Sequence, residues 1–380
     1  MNALGLELYR QQQANTNLLL SPYSIQTALA LTFAGADGET KAEMQRTLHF
    51  PKKEATIHES FASLAADLRR VEKAKPPGGP STPIELNVAN RLFVQKRYQL
   101  LPPFLETAKE HYLAPLEQLD FGEAEAARKH INHWVEKQTK DKIRDLVPSG
   151  VLNANTRLIL ANAIFLRAPW ADPFLKSATK SAPFRVRGED RRNVPTMANR
   201  GTYGYGLRAG FQIIAVPYDG AGLQFLIALP QDPKGLPAVE ARLTAEFLTL
   251  NKHLTPKLID LYLPKFRIEP PSVSLAKSLQ NLGLKTAFDQ PPGSANFDRV
   301  APRLSDAYLA ISEVLHKAYL ALDEEGTEAA AATAVAMESY GSPAPAPRPL
   351  EIRVDRPFFF AIQHVPSGAC LFMGRVTDPQ

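Results

Sequence analysis

The sequence predicts a single α+β domain, residues 1–380, built on large β-sheets. Three observations support this fold class. Helical spacing of apolar residues is frequent in the first 140 residues, strand-like runs become dense after residue 157, and no linker or internal repeat divides the 380 residues. The composition, 44% hydrophobic and 22% charged, is that of an ordinary globular protein.

The helices of the first third are indicated by caps and by apolar spacing. A helical pattern with apolar residues from Leu4 to Tyr9 opens the chain. Ser21 followed by Pro22 favours a helix start, because serine caps the first turn and proline fits it, and we expect this helix to end near Gly35. Further helices are predicted over residues 39–48, 59–71, 104–112, 124–140 and 274–282.

Strands are predicted where short apolar or β-branched runs end in turn residues. The predicted ranges are 85–94, 157–166, 182–186, 212–216, 223–229, 258–266, 308–322, 358–363 and 370–375. Residues 75–82 are a loop by composition. The single cysteine, Cys370, lies in the apolar stretch 369–373, so we expect a buried core residue and not a catalytic thiol.

The known catalytic motifs are missing from the sequence. There is no Gly-x-Ser-x-Gly elbow, no phosphate-binding Gly-x-x-x-x-Gly-Lys loop and no dinucleotide fingerprint. His130 and His133 share a helical face, but no third metal ligand accompanies them. We therefore expect no catalytic residues, no metal and no cofactor, and predict that the chain is not an enzyme.

The charge is mildly basic, with a formal net charge of +5 and a pI of about 9.1. Lysine and arginine cluster at residues 52–53, 69–75 and 185–192, with acidic residues interleaved. We expect solvated faces and no nucleic-acid site, with residues 69–75 as the candidate site for a polyanion such as a glycosaminoglycan. No apolar run reaches the ~18 residues of a membrane helix, so no membrane partner is expected.

The amino terminus lacks the basic and apolar regions of a signal peptide. Two locations remain open. We expect an extracellular or periplasmic protein if a leader has been removed, and a cytoplasmic protein if Met1 is the native start.

The most unusual segment lies between residues 323 and 349. Residues 326–342 contain no proline and are dominated by small side chains, whereas prolines alternate over residues 343–349. One interpretation is an alanine-rich helix capped by Thr327. The other is a strand, because alternate positions from 327 to 337 carry Thr, Ala, Ala, Thr, Val and Met. From Gly326 to Tyr340 an extended strand would span roughly 50 Å, and Gly326 would serve as its hinge.

With these residues the chain resembles the serpin family over nearly its whole length. The matching motifs are residues 20–25 (Leu-Ser-Pro-Tyr-Ser-Ile), 90–93 (Asn-Arg-Leu-Phe), 162–165 (Asn-Ala-Ile-Phe), 263–265 (Leu-Pro-Lys), 311–317 (Ile-Ser-Glu-Val-Leu-His-Lys), 324–333, 355–358 (Asp-Arg-Pro-Phe) and 371–376 (Leu-Phe-Met-Gly-Arg-Val). The resemblance implies three β-sheets, eight or nine helices and an exposed reactive-centre loop at about residues 324–349. It also implies a monomer whose partner is a target serine protease, held as a covalent acyl-enzyme when the cut loop enters the main sheet.

The resemblance assigns three sets of site residues. The hinge comprises Glu324, Glu325, Gly326, Thr327, Glu328, Ala329, Ala330, Ala331, Ala332 and Thr333. The shutter, which must part for insertion, comprises Ser21, Ser24, Asn162 and His316. The breach, where the loop enters, comprises Trp170, Lys265 and Glu324, with an ion pair expected between the last two.

Counting along the family pattern from Glu324 places the reactive bond at Tyr340–Gly341. A tyrosine there favours chymotrypsin-like or subtilisin-like proteases. Arg348, which would suit a trypsin-like protease, is the competing site, and Met337 or Ser339 would be the bait if the count slips. The small hinge residues favour an inhibitor, and the alternative is a non-inhibitory serpin that binds or carries a partner.

The chain departs from the family pattern at three places. Ala168-Pro169 precedes Trp170 where the family usually has glycine, Asp141 stands where glycine is common, and the proline-rich stretch after the bait is longer than usual.

Overall fold

The computed structural model describes residues 1–12, 15–73, 83–112, 116–187, 190–220, 222–249, 254–304, 307–327 and 348–380. Within these ranges the chain forms eight α-helices and sixteen β-strands. The helices are α1 (Asn2–Arg10), α2 (Pro22–Gly35), α3 (Gly38–Thr47), α4 (Glu54–Lys73), α5 (Pro102–Tyr112), α6 (Ala124–Gln138), α7 (Leu236–Glu240) and α8 (Ala276–Asn281).

Most of the sixteen strands lie in the second half of the chain. The strands are β1 (Leu18–Leu20), β2 (Glu85–Gln95), β3 (Glu117–Leu119), β4 (Leu158–Pro169), β5 (Lys180–Val186), β6 (Asp190–Arg208), β7 (Phe211–Pro217), β8 (Leu223–Pro230), β9 (Thr255–Pro264), β10 (Phe266–Ile268), β11 (Val273–Ser274), β12 (Ile311–Leu322), β13 (Gly326–Thr327), β14 (Leu350–Arg353), β15 (Phe358–His364) and β16 (Ala369–Val376). Each predicted helix and strand has a counterpart here.

A local sequence signal explains where α2 starts, and the lack of such a signal explains why one strand, β6, was not predicted. The hydroxyl of Ser21 accepts a hydrogen bond from the backbone N–H of Ser24 and so caps α2, as predicted. Strand β6 was not predicted, because its exposed face is rich in charged residues and glycines interrupt the alternation. The predicted strand 258–266 is divided at Lys265 into β9 and β10.

The described strands form two hydrogen-bonded networks. The larger has the order β1-β16-β15-β8-β7-β6-β9-β14, with β5 also paired to β6. The long strand β6 joins two parts of this network, since its residues 190–196 pair with β5, its residues 196–205 with β9 and its residues 204–208 with β7. The three sheets that the resemblance implies are therefore recognisable, with β6 shared between two of them.

The second network has the order β10-β12-β13-β4-β2-β3. Its two central strands, β4 and β12, run parallel and pair directly from Ile311 opposite Leu158 to Tyr319 opposite Phe165. We call this boundary the seam. On the other side of β4, strand β2 pairs with it in antiparallel register along most of its length.

Both faces of the seam are covered. On one face, α6 packs Ile131 and Val135 into an apolar cluster that contains Ala163 of β4 and Leu315 of β12. On the other face, the end of the seam at Leu158 and Ile311 packs with α2, and the end at Ile164 and Ala318 packs against the larger network. A strand that entered the seam would therefore be buried on both faces, which suits small and apolar side chains.

Two predictions from composition can be compared with the described residues. Cys370 is fully buried, as expected, and this burial raises the pKa of its thiol. None of the described helices is long and apolar enough to cross a membrane.

Candidate functional site: the entry gap and the seam below it

The direct pairing of β4 with β12 ends at Phe165 and Tyr319. Beyond these residues the two strands separate, and Gly326 and Thr327 lie between them. Thr327 is the partner of Leu322 on β12 and also of Ala168 on β4, antiparallel to both. We call the space between Ala168 and Leu322 the entry gap. Thr327 is completely buried in it. The two residues of β13 thus already belong to the sheet, flanked by strands that pair directly with each other lower down.

Gly326 is required by both its backbone conformation and its surroundings. Its φ is +148°, a region that side chains with a Cβ strongly disfavour. A Cβ at this position would lie 2.1 Å from the carbonyl oxygen of Ala168 and 2.7 Å from Cα of Pro169. Only glycine can therefore place the chain in the entry gap with this geometry.

Replacing Gly326 by alanine is expected to drive residues 326–327 out of the entry gap. Backbone strain of about 1–3 kcal/mol, added to the clash with Ala168, would increase amide hydrogen exchange of residues 323–327 by about tenfold or more. Gly150→Ala is the matched control, because Gly150 also has a positive φ, +81°, but no atom within 4 Å of the added Cβ. Equal exchange in G326A and wild type would contradict this account.

Two acidic residues fasten the chain just before the entry gap. Glu324 accepts hydrogen bonds from the Lys265 ammonium at 2.7 Å and from the Thr179 hydroxyl at 2.7 Å, and Glu325 pairs with Lys176 at 2.6 Å. Burial by itself would raise the pKa of Glu324, but the bonds from Lys265 and Thr179 outweigh burial and hold that pKa below its usual value. The carboxylate of Glu324 is therefore charged and held in place.

Trp170 links the segment held by Glu324 and Glu325 to the entry gap. Its indole N–H donates to the carbonyl of Asp323 at 3.0 Å, and its backbone N–H donates to the carbonyl of Glu325 at 2.9 Å. The Trp170 ring stacks on Tyr218 with 4.6 Å between centroids, and the Tyr218 hydroxyl lies 2.6 Å from the hydroxyl of Thr327.

The structure thus brings together Trp170, Lys265 and Glu324, the three residues assigned to the breach. It adds Thr179, Lys176 and Tyr218, which sequence reasoning did not single out. None of these three lies in a motif, and their places beside the hinge depend on long-range folding.

The four residues assigned to the shutter also lie together, halfway down the seam. His316 on β12 is opposite Asn162 on β4, and the His316 Nδ1 and Asn162 Oδ1 atoms are hydrogen-bonded. The Ser21 backbone N–H donates to His316 Nε2 at 3.1 Å, and the Asn162 amide donates to the Ser24 hydroxyl at 2.6 Å. These residues, with Asn90, form what we call the central hydrogen-bond cluster.

Asn90 belongs to the motif over residues 90–93 and was not among the residues assigned to the shutter. Its side-chain oxygen accepts from the Ser24 hydroxyl at 3.0 Å and also from the Asn162 amide, and its own amide donates to the carbonyl of Ser24. The cluster therefore ties β2, β4 and β12 to the start of α2. Any widening of the seam must break the bond between Asn162 and His316.

His316 is neutral in this setting. Complete burial lowers its pKa to about 3, and because Nε2 accepts from the Ser21 N–H, the proton is carried on Nδ1 and donated to Asn162. The neutral form is thus built into the closed seam.

This burial predicts a pH dependence of stability. The imidazole of an unfolded chain takes up a proton near pH 6.5, but the buried imidazole does so only near pH 3. The contribution of His316 is therefore complete above pH 6.5 and is lost as the pH falls toward 3, by at most ~1.4 kcal/mol per pH unit. Urea unfolding at pH 7, 6 and 5 should show a steeper loss for wild type than for His316→Gln. Parallel pH profiles would contradict the assignment.

Part of the assigned site lies outside the described residues. This holds for the hinge residues from Glu328 to Thr333 and for the reactive bond, Tyr340–Gly341. Arg348, the competing bait, is described: it is exposed and lies two residues before β14. Within the described ranges, no group of three or more His, Cys, Asp or Glu residues could hold a metal ion.

Comparisons with known proteins agree with this architecture. A family model described as serpin (serine protease inhibitor) matches residues 1–379. The chain belongs to the serpin family. It is therefore a member of a protease-inhibitor family and not an enzyme, and the predicted family and α+β serpin fold are confirmed.

Individual serpins give the range of this similarity. The leukocyte elastase inhibitor of Bos taurus is 38% identical over 375 residues, covering 96% of this chain and 93% of the relative. The crystal structure of a highly specific serpin from the insect Tenebrio molitor has a TM-score of 0.85 and 30% identity, covering 100% of this chain and 96% of that one. A structure of native protease nexin-1 with heparin has a TM-score of 0.83 and 26% identity, covering 100% and 98%.

Proposed function

We propose that this serpin is a suicide-substrate inhibitor of serine proteases. The protease serine oxygen attacks the carbonyl carbon of Tyr340, the bond to Gly341 breaks, and the new amine of Gly341 leaves with a proton. The chain up to Tyr340 is then an ester of the protease. Insertion of residues 328–340 into the seam carries the ester away from the entry gap before water hydrolyses it.

One observation supports this proposal most strongly. Gly326 and Thr327 are paired with β4 and β12 at the place where those two strands separate. From Glu313 to Tyr319 in the closed part of the seam, each β12 residue is opposite the β4 residue 154 positions earlier, as His316 is opposite Asn162. Leu322 and Ala168 keep this offset across the entry gap (322 − 168 = 154), so Thr327 lies between residues that would otherwise be partners.

Extending this register gives each later residue a defined position. Six residues beyond Thr327 is Thr333, six residues before Ala168 is Asn162, and six before Leu322 is His316. An inserted Thr333 would thus lie between Asn162 and His316. Its hydroxyl could donate to one and accept from the other, replacing the bond that the opened seam loses. Positions 329, 331, 335 and 337 would share the face of Thr327, and all carry small or apolar side chains.

Thr333→Val tests this register, because valine has the shape of threonine without its hydroxyl. We expect the loop-cleaved variant to be less stable than loop-cleaved wild type by about 1–3 kcal/mol, since Oδ1 of Asn162 and the Nδ1–H of His316 would be left without a partner. The uncleaved variant should match uncleaved wild type. The control is Ala332→Val, which alters the opposite face of the strand. A loss that is equal in cleaved and uncleaved T333V would contradict the register.

The identity of the target rests on the bait residue and on relatives. Tyr340 suits the deep apolar pocket of chymotrypsin-like or subtilisin-like proteases. The bovine relative is named for leukocyte elastase, which adds elastase to the candidates. Cleavage after Arg348 is disfavoured, because it would place Pro343, Pro345 and Pro347 in the inserting strand, where proline lacks a ladder donor.

A polyanion is a second proposed partner, with residues 69–75 as its site. The protease nexin-1 structure contains heparin. On α4, Arg69 is exposed and makes no ion pair within the described ranges, whereas Arg70 pairs with Asp67 at 2.5 Å. Inhibition rates that do not change when heparin is added would remove this partner.

The proposal is tested by incubating the protein with chymotrypsin, subtilisin, elastase and trypsin. We expect a covalent complex that survives boiling in detergent with at least one of the first three, and mass spectrometry should locate the cut at Tyr340–Gly341. Complete turnover of the loop by every protease, without a complex, would favour the alternative, a non-inhibitory serpin that binds or carries a partner.

A further inference from the structure

Inside the entry gap, the hinge residue Thr327 makes a side-chain hydrogen bond to Tyr218. Among the residues that the structure describes, no other side chain bonds to the hinge there. Tyr218 follows directly after β7 and is 2% exposed. Its hydroxyl lies 2.6 Å from the Thr327 hydroxyl, which is buried as well. In the described part of the chain neither hydroxyl has another hydrogen-bond partner, so each satisfies the other.

The Tyr218 ring is held rigidly. It stacks on Trp170 at an interplanar angle of 7°, and an isolated bridge pairs the two residues through their backbones. The next backbone N–H, of Asp219, donates to the carbonyl of Pro169 at the end of β4 at 2.8 Å. Burial without charge compensation raises the pKa of Tyr218 well above its usual value, so the hydroxyl keeps its proton.

The position of Thr327 gives this bond a special role. Thr327 is the first residue of the strand that would enter the seam, and it already has its place between Ala168 and Leu322. The residues that follow must move during insertion, but Thr327 need not. Its bond to Tyr218 can therefore exist before the loop is cut and after it has been inserted, and it is lost only if the hinge leaves the entry gap.

We propose that Tyr218 is a positioning residue for inhibition, which anchors Thr327 so that insertion starts at once and in one register. The proposal rests on the proposed function in one respect, that insertion competes with hydrolysis of the acyl-enzyme. Without the anchor the hinge spends more time outside the entry gap, insertion starts later, and more acyl-enzyme is hydrolysed. Tyr218 then affects how many inhibitor molecules are consumed per protease molecule trapped.

A double-mutant cycle tests the anchor. Tyr218→Phe and Thr327→Val each remove one hydroxyl with little change of shape, and each leaves the other hydroxyl buried and unpaired. The double variant leaves no unpaired hydroxyl. The factor by which it raises the stoichiometry of inhibition should therefore be smaller than the product of the two single factors. We expect each single variant to raise the stoichiometry of inhibition about threefold or more, and the double variant to recover part of that loss.

Tyr203→Phe is the matched control. Tyr203 is also a buried tyrosine of the same apolar cluster, but its hydroxyl has no hydrogen-bond partner among the described residues. We expect its stoichiometry of inhibition to equal that of wild type. A purely structural role of Tyr218 predicts instead a lower thermal midpoint with unchanged stoichiometry, or single defects that simply multiply, and either result would overturn the proposal.

A second readout keeps the anchor testable without any protease. Amide hydrogen exchange of a peptide covering residues 323–327 should be faster in uncleaved Y218F than in wild type, and unchanged in Y203F. Equal exchange in Y218F and wild type overturns the anchor even if inhibition is observed. Faster exchange in Y218F, together with no covalent complex from wild type, supports the anchor and refutes the proposed function.

Discussion

Thr327→Arg is expected to convert the inhibitor into a substrate. Thr327 is completely buried between β4 and β12, and its hydroxyl is bonded to the uncharged Tyr218. A guanidinium there would be buried without a carboxylate, at a cost of several kcal/mol, so the hinge would stay outside the entry gap. We expect a fall in covalent complex of about 100-fold, which corresponds to ~2.7 kcal/mol, with the loop still cut at Tyr340.

Two controls separate this effect from a general defect. Thr327→Ser keeps the hydroxyl and should inhibit nearly as wild type does. Thr202→Arg makes the same substitution at an exposed position of β6 and should leave inhibition and folding unchanged. If T327R formed the covalent complex at the wild-type rate, the proposal that the loop enters the sheet at this gap would be wrong.

Asn162→Ala is expected to have the largest effect on the uncleaved protein. The variant removes the partner of His316 and a donor to both Ser24 and Asn90; His316 and Ser24 are buried and Asn90 is half-buried. Leaving such groups unsatisfied costs about 1–3 kcal/mol each, with non-additive sums, so we expect the free energy of unfolding to fall by ~3 kcal/mol. Urea unfolding measures this change.

The matched control is Asn193→Ala, an exposed asparagine on β6, which should change the free energy of unfolding by less than ~0.5 kcal/mol. A loss below ~1 kcal/mol in N162A would mean that the central hydrogen-bond cluster does not hold the seam closed. Asn162→Asp adds a test of charge, because a carboxylate beside Nδ1 of His316 would favour a protonated imidazole and move the acid loss of stability to higher pH.

The sequence was most informative where local chemistry decides the structure. The examples are the Ser21-Pro22 cap, the apolar strand over residues 370–375 and the glycine at position 326. Each is explained by the few residues that form it. The sequence was least informative where distant segments meet. Tyr218 lies 109 positions from Thr327, and nothing in the residues around it indicates that its hydroxyl reaches the hinge. Strand β6 was missed because its glycines and charges conceal a strand that is held mainly by its neighbours β9 and β7.

The register of the hinge lies between these cases. The period-two pattern from Thr327 to Met337 indicates a strand, but no pattern states which residues it will pair with. The placement of Thr327 between Ala168 and Leu322 supplies the register from which we propose the partners of the later residues. The small residues after Gly326 would suit the proposed insertion, because the seam is covered on both faces.

We propose that the uncleaved chain is metastable and that cutting the loop lets it enter the seam. Thermal unfolding of intact and loop-cleaved protein tests this most directly, with thermolysin used for the cut because a metalloprotease forms no acyl-enzyme. Mass spectrometry must first place the cut between residues 328 and 347. If insertion adds ~5 kcal/mol, the midpoint of the cleaved protein should rise by roughly 6 °C, because the entropy of unfolding is about 2.1 cal/mol/K per residue. An unchanged or lower midpoint after cleavage would contradict the account.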